Sequence, residues 1–437
     1  MNDFPNLSLQ DLAARLARRE VSAETVTRAS IARMEEVEPV VRAWQHFDPE
    51  QAIAQARRLD AQAPKGALHG VPIGVKDLMD TADMPTTYGS PIYARHQPQM
   101  DAICVAASRS AGAVIMGKTV TTEFATFHPG VTCNPHRTHN ADGMPQLHTP
   151  GGSSSGSAAA VASGMVPVAF GTQTAGSIVR PAAYCGIVGY KPTYGMLPLV
   201  GIKSLSPSLD TVGVLARSVG DAAFFISTLS HLSLSPLPAA APPRLRLGIC
   251  RTQHWGRASQ ATRMTLERAA SLLEAAGAVL SDVSLPGICK GLTEAQMTIM
   301  GFEAALAFAP ESQTSPTGFS NAFEKFLAAG SAVDGAAYCV AQELAVAARC
   351  ALTGIFRDVD ILLAPSTEGE APVGLEATGD PIFNRMWTLL GNPCVHVPLG
   401  IGAGGMPIGV TLIGPRWGDT QTLAAADLLE RSFATKK

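Results

Sequence analysis

Between residues 66 and 228, short β-branched and apolar runs alternate with stretches of helical pattern. That alternation restricts a chain to layered α/β folds, because each strand-like run is followed by a helix that must cover it. Residues 71–75, 113–116, 165–170 and 187–188 read as buried strands, with 101–110 and 157–163 as helices between them. The pattern returns late, with strands over 245–249, 278–285, 360–364, 394–398 and 408–413. Helices are expected over 262–276, stopped at Gly277, and over 420–431. Residues 8–60 read as helices, with Leu9, Leu12, Leu16 and Val21 on one face. The segment 233–243 holds four prolines and is the linker candidate, while 290–350 is helical and alanine-rich. Either two domains meet at those prolines or the late strands rejoin the first sheet. The second reading is preferred and predicts one large sheet in a single domain over 1–437.

Charged residues make up 16% of the 437 positions, which suits a large sheet covered on both faces. The net charge is −3 and the basic residues are scattered, which argues against nucleic acid as a partner. The eight cysteines show no CxxC pair and no zinc-like spacing, so they are expected to be buried small apolar residues in a reducing compartment. Residues 1–20 have no apolar signal core, and no run of about 18 uncharged apolar residues reads as a membrane span. A cytoplasmic protein with no membrane partner is expected.

Three segments carry chemistry. Lys76 ends the apolar run Val71-Pro72-Ile73-Gly74-Val75-Lys76-Asp77, Ser153 follows Pro150-Gly151-Gly152, and Ser177 follows Thr174-Ala175-Gly176. A lysine and two serines in small-residue loops are the parts of a nucleophilic hydrolase needing neither histidine nor metal. Lysine can serve as base only when burial lowers its pKa towards neutrality. Each part also has a plainer reading: a surface lysine paired with Asp77, a helix N-cap at Ser153, Ser154 or Ser155, and a tight turn at 174–177. Two further motifs are set aside. Gly112–Thr119 matches GxxxxGK[ST], but its variable residues are those of a buried strand. Gly152-Ser153-Ser154-Ser155-Gly156 matches GxSxG, but a loop rather than a strand precedes Ser154. His128, His136, His139 and His148 lie in a polar loop read as cleft-lining rather than metal-binding.

Together these segments resemble the amidase signature family of serine hydrolases. The resemblance is dense over about 66–213, including Gly117-Lys118-Thr119, Pro150-Gly151-Gly152-Ser153-Ser154 and Gly189-Tyr190-Lys191-Pro192-Thr193, and it resumes at 360–366, 384–398 and 407–418. It implies a three-layer α/β/α fold with one large central mixed sheet. The core would span 66–228, with a Pro-rich connection at 233–243, helical pocket walls at about 290–350, and a sheet completed by 355–432. It implies a Ser-cisSer-Lys triad: Ser177 as nucleophile, Ser153 after a cis peptide as proton shuttle, and Lys76 as base. The backbone N–H groups of Thr174, Ala175, Gly176 and Ser177 would form the oxyanion hole, and no cofactor or metal is implied.

Gln173 and Ala175 depart from the commonest family pattern, and Arg180 stands three residues after Ser177 rather than two. This Thr-Gln-Thr…Ser-x-x-Arg-Pro version resembles the malonamidase branch, as does Asn384-Arg385-Met386-Trp387-Thr388-Leu389. There the corresponding arginine is placed to hold a substrate carboxylate, a task that suits a guanidinium fork; a structural arginine bridging loops is the alternative. The expected activity is hydrolysis of small amides, with carboxylate-bearing amides such as malonamate first. Aryl amides or carbamates are the alternative, with the loop 136–148 reshaping the cleft. A catalytically silent scaffold and an amidotransferase A subunit rank lower. The expected partner is a small-molecule amide, and the reading allows a homodimer.

Overall fold

The computed structural model describes residues 7–230, 232–238, 244–315 and 317–435. Thirteen strands are present among the described residues. The first five are β1 (Trp44–Phe47), β2 (Pro72–Lys76), β3 (Val114–Thr119), β4 (Thr138–His139) and β5 (Pro145–Gln146). Then come β6 (Val168–Gln173), β7 (Val188–Lys191), β8 (Thr211–Ala216) and β9 (Arg246–Ile249). The last four are β10 (Val279–Asp282), β11 (Ile361–Pro365), β12 (Cys394–Ile401) and β13 (Pro407–Ile413). Eleven of them form one mixed sheet in the order β1-β3-β2-β6-β8-β7-β12-β13-β11-β9-β10, and β4 and β5 pair as a separate hairpin.

The sheet is the middle of three layers, and side-chain alternation shows why both faces need covering. In β11, Ile361 and Leu363 join one hydrophobic cluster while Leu362 and Ala364 join the other. The first cluster takes the N-terminal helices and the last helix, Asp419–Ala434; the second takes the helices Leu292–Ala307, Asn321–Ser331 and Gly335–Asp358. A strand buried on both faces reads as a near-continuous apolar run, as β11 does throughout and as β2 and β3 do ahead of Lys76 and Lys118. The late strands β12 and β13 pair between β7 and β11, so the chain after the prolines completes the first sheet. Of the expected linker 233–243, residues 239–243 lie outside the described residues.

Helix ends follow local chemistry. Ser8 accepts from the Asp11 N–H and Ser22 from the Thr25 N–H, capping the helices Leu9–Ala17 and Ala23–Val41. Two sequence expectations are corrected and one unassigned segment is filled. Residues 44–47 are not helical: they form β1, a half-buried edge strand antiparallel to β3. The segment Val179–Cys185, unassigned by periodicity, is a buried helix. Six cysteines are buried, but Cys339 and Cys350 are exposed on the helix Gly335–Asp358. That helix is long and apolar enough by composition to cross a bilayer. It nonetheless carries Glu343 and Arg349, and Arg349 donates to the Leu389 carbonyl at 2.8 Å.

Beside the chemistry-bearing end of β2, Asp77 and Lys118 are both fully buried, with Lys118 Nζ 3.0 Å from Asp77 Oδ1. Removing one member of such a pair strands the other charge in a dry site. Asp77→Ala should therefore lower stability by about 3–5 kcal/mol in urea unfolding. The double variant Asp77→Ala/Lys118→Met should recover part of that loss. A loss in Asp77→Ala below about 1 kcal/mol would show that the pair does not stabilise the fold.

Candidate active site

Two neighbouring strands each bury a lysine, and the two amines meet different surroundings. β2 and β3 run parallel with Val75 opposite Lys118 and Lys76 opposite Thr119. Lys118 has the Asp77 carboxylate and the Thr86 hydroxyl at 2.5 Å. Lys76 has no carboxylate within ion-pair distance among the described residues; its Nζ lies 2.7 Å from Ser153 Oγ and 2.7 Å from Thr172 Oγ1. Burial holds the Lys76 pKa well below the usual lysine value, and the Asp210 charge opposes this only in part. Asp210 is itself pushed up by burial, and it accepts from Thr174 Oγ1, Ser204 Oγ and the Leu205 and Ser206 N–H groups.

Ser153 reaches Lys76 from the loop ahead of the helix Ser155–Ala162, and its peptide bond with Gly152 is cis. Gly152 is needed there, because a Cβ would stand 2.7 Å from Thr378 Cγ2. The neighbouring serines serve the backbone instead. Ser154 Oγ exchanges bonds with Thr172, and Ser157 Oγ donates to the Phe170 carbonyl at 2.7 Å. Ser154, the elbow candidate of the GxSxG match, is thus a packing serine. The GxxxxGK[ST] match is the buried strand β3 and the turn before it.

The Ser177 loop leaves β6 and is tied down through its carbonyls. Gln296 Nε2 donates to the Thr174 carbonyl at 3.0 Å, Thr388 Oγ1 to the Ala175 carbonyl at 2.7 Å, and the Arg180 N–H to the Gly176 carbonyl at 2.9 Å. Gln173 Oε1 takes the Ile178 and Val179 N–H groups, and its Nε2 donates to Thr388 Oγ1 at 2.9 Å. The N–H groups of Ala175, Gly176 and Ser177 have no acceptor among the described residues. With the carbonyls engaged, these successive donors are left free, the state that backbone N–H groups need in order to receive a developing oxyanion. Gly176 fits closely, since a Cβ would stand 2.8 Å from Pro381 and 3.0 Å from Asn384 Oδ1.

Ser177 borders a small, partly open pocket. Phe127, Leu205 and Met300 form an apolar wall, while Arg180 and Arg385 supply two guanidinium groups. Among the residues lining it none is acidic. Arg180 bridges the two serine loops: Nε and Nη2 donate to the Gly152 carbonyl at 3.3 and 2.7 Å, and Nη1 to the Gly379 carbonyl at 2.5 Å. Burial pushes its pKa down to about 10.

Sequence reasoning did not single out Gln296 or Asp210, and quoted Arg385 and Thr388 only within a motif. Gln296 lies inside an alanine-rich helix with no chemical pattern around it, so only the packing of that helix reveals it. The histidine loop also resolves. His136 Nε2 meets the Cys185 carbonyl at 3.1 Å, and His148 bridges Thr138 Oγ1 at 2.7 Å and the Ala371 carbonyl at 2.8 Å. These rings pin the β4–β5 hairpin to the body of the fold.

The Amidase family profile matches residues 25–423. Among curated relatives, the A subunit of the glutamyl-tRNA(Gln) amidotransferase from Anaeromyxobacter sp. (strain K) is 32% identical, the alignment covering 98% of this chain and 96% of that protein. A crystal structure of an amidase superposes with a TM-score of 0.85 at 30% identity, over 97% of this chain and 99% of the other. The native peptide amidase of Stenotrophomonas maltophilia gives 0.78 at 28% identity, over 98% and 97%. The match in sequence runs nearly end to end and the match in fold covers every layer of the sheet: this chain belongs to the amidase family.

Proposed function

We propose that the chain hydrolyses small linear amides through a seryl acyl-enzyme at Ser177, with Lys76 as neutral base and Ser153 as the proton carrier between them. The observation that carries this reading is the Lys76 amine, buried without a counter-charge and 2.7 Å from Ser153 Oγ. Burial alone would leave an inert amine, and the contact with a hydroxyl gives it a proton to take.

In the proposed cycle, Ser177 Oγ attacks the amide carbon as its proton moves to Ser153 Oγ and the Ser153 proton moves to Lys76 Nζ. The carbonyl electron pair shifts to oxygen, where the N–H groups of Thr174, Ala175, Gly176 and Ser177 receive it. The Lys76 ammonium returns a proton through Ser153 to the amide nitrogen, the C–N bond breaks, and ammonia or an amine leaves. Water then gives its proton to Ser153 and Lys76 while its oxygen attacks the acyl carbon, and cleavage of the ester C–O bond frees the acid and Ser177.

For the substrate we favour an amide that also carries a carboxylate, such as malonamate, as in the malonamidase branch. Two cationic side chains and no acidic one line the cavity beside Ser177. The amidotransferase relative favours a second reading, in which the chain serves as the A subunit of a glutamyl-tRNA(Gln) amidotransferase. A cavity wall without an acidic side chain has nothing to receive the ammonium of an amino acid, which supports the first reading. Aryl amides and carbamates remain the alternative within the same chemistry, served by the Phe127, Leu205 and Met300 wall.

Ser177→Ala should lower kcat by about four orders of magnitude while melting near the parent temperature. Residual turnover within tenfold of the parent would remove Ser177 as nucleophile. The second test is the pH profile. Because the neutral amine is the active form, kcat/KM should rise with pH through the lowered Lys76 pKa, with a midpoint well below the roughly 10.4 of free lysine. Lys76→Arg, which holds its proton throughout, should be inactive across the range. A parent profile that stays flat to acid pH would contradict the lysine base.

A further inference from the structure

Two arginines line the cavity beside Ser177, and their hydrogen bonding divides them. The Arg180 guanidinium is bound to two backbone carbonyls through all three of its nitrogens. One of these carbonyls, that of Gly152, belongs to the peptide that aims Ser153. Arg180 is thereby a brace between loops, with its fork already occupied.

Arg385 is placed differently. It opens the helix Arg385–Leu390, is buried, and donates a single side-chain hydrogen bond, from Nη1 to Gln296 Oε1 at 2.8 Å. No carboxylate lies within ion-pair distance of it among the described residues. The nearby acid Asp380 faces Arg257, at 3.5 Å. The Arg385 side chain lines the cavity, and its remaining donors are not among the buried polar atoms left without a partner. A guanidinium held by one neutral amide and bordering a cleft is set to receive an anion in its fork. Gln296 completes the arrangement: fully buried, it accepts from Arg385 and donates to the Thr174 carbonyl of the oxyanion loop at 3.0 Å. The anion subsite and the reaction centre are thus held in register by one side chain.

We propose that Arg385, positioned by Gln296, binds the carboxylate of the substrate. This assignment rests on the carboxylate-bearing amide reading above, and it moves the anchoring role from Arg180, where the family resemblance places it, to Arg385. The apolar wall of Phe127, Leu205 and Met300 then faces the uncharged part of the ligand.

The test separates binding from turnover. In the Ser177→Ala background, calorimetric titration with malonamate is compared with malonamide, its neutral near-isostere. Malonamate should bind, and Arg385→Gln should weaken it about tenfold to a hundredfold more than it weakens malonamide, the range for loss of a charge-assisted pair. Arg385→Lys, which keeps the charge and loses the fork, should fall between the two and guards against a folding defect in the first variant. Equal losses for both ligands, no malonamate binding in the background variant, or a selective malonamate loss in Arg180→Gln with none in Arg385→Gln would each overturn the proposal. Because the titration needs no catalysis, persistent hydrolysis by Ser177→Ala would strike the acyl-enzyme reading and leave this measurement intact.

Discussion

An amine enclosed at the end of a β-strand must either find a counter-charge or give up its proton, because an unpaired ammonium cannot stay in a dry interior. This protein shows both outcomes on adjacent strands. Lys118 takes the first through Asp77, and Lys76 faces only the hydroxyls of Ser153 and Thr172. Burial alone does not set Lys76 apart. Lys191 is also buried with a lowered pKa, yet it donates to the Pro192 carbonyl and touches no serine. The Ser153 contact distinguishes Lys76, and the sheet makes that contact available by ending β2 beside the loop after Gly152.

The rest of the site preserves that arrangement. The cleft lies beside the end of β6, lined by the loop after Gln173 and by residues 125–127 of the segment after β3. Arg180 links the Gly152 carbonyl to Gly379 with its side chain, and its own N–H holds the Gly176 carbonyl. Gln173 and Thr388 fix the same loop from beneath, and Gln296 fixes it from the helical layer. The bonds from Gln296, Thr388 and the Arg180 N–H take the Thr174, Ala175 and Gly176 carbonyls, while the N–H groups of Ala175, Gly176 and Ser177 stay free of acceptors among the described residues. These donors are thus left free, which is the condition the proposed oxyanion site requires.

Much of this was legible in the sequence, for a definable reason. Lysine and serine set among glycines and alanines stand out, and continuous apolar runs reveal strands buried on both faces. The strand at 71–75, the serine loops and a layered α/β sheet could be read on those grounds, and the family resemblance added that the sheet is mixed. What could not be read depends on neighbours distant in sequence. β1 is a half-exposed edge strand whose pairing with β3 overrides a helical surrounding. β8 carries Gly213 in its middle because a Cβ there would lie 2.3 Å from the Tyr190 carbonyl, and that glycine breaks the apolar pattern. Gln296 and Thr388 look like ordinary polar residues in helices until packing brings them against the Ser177 loop. Arg180 could be read as a cation near the nucleophile, but not as a ligand of the Gly152 carbonyl.

The central claim is that Lys76, acting through Ser153, activates Ser177. Its most direct test is covalent. A serine-reactive phosphonate is allowed to react with the intact protein, and peptide mass spectrometry locates the adduct while the labelling rate is followed. The account predicts one adduct, on Ser177, and labelling slowed at least a hundredfold in Lys76→Ala, as expected when a general base is removed. An adduct on Ser153 or Ser154 instead, or an undiminished rate in Lys76→Ala, would contradict it.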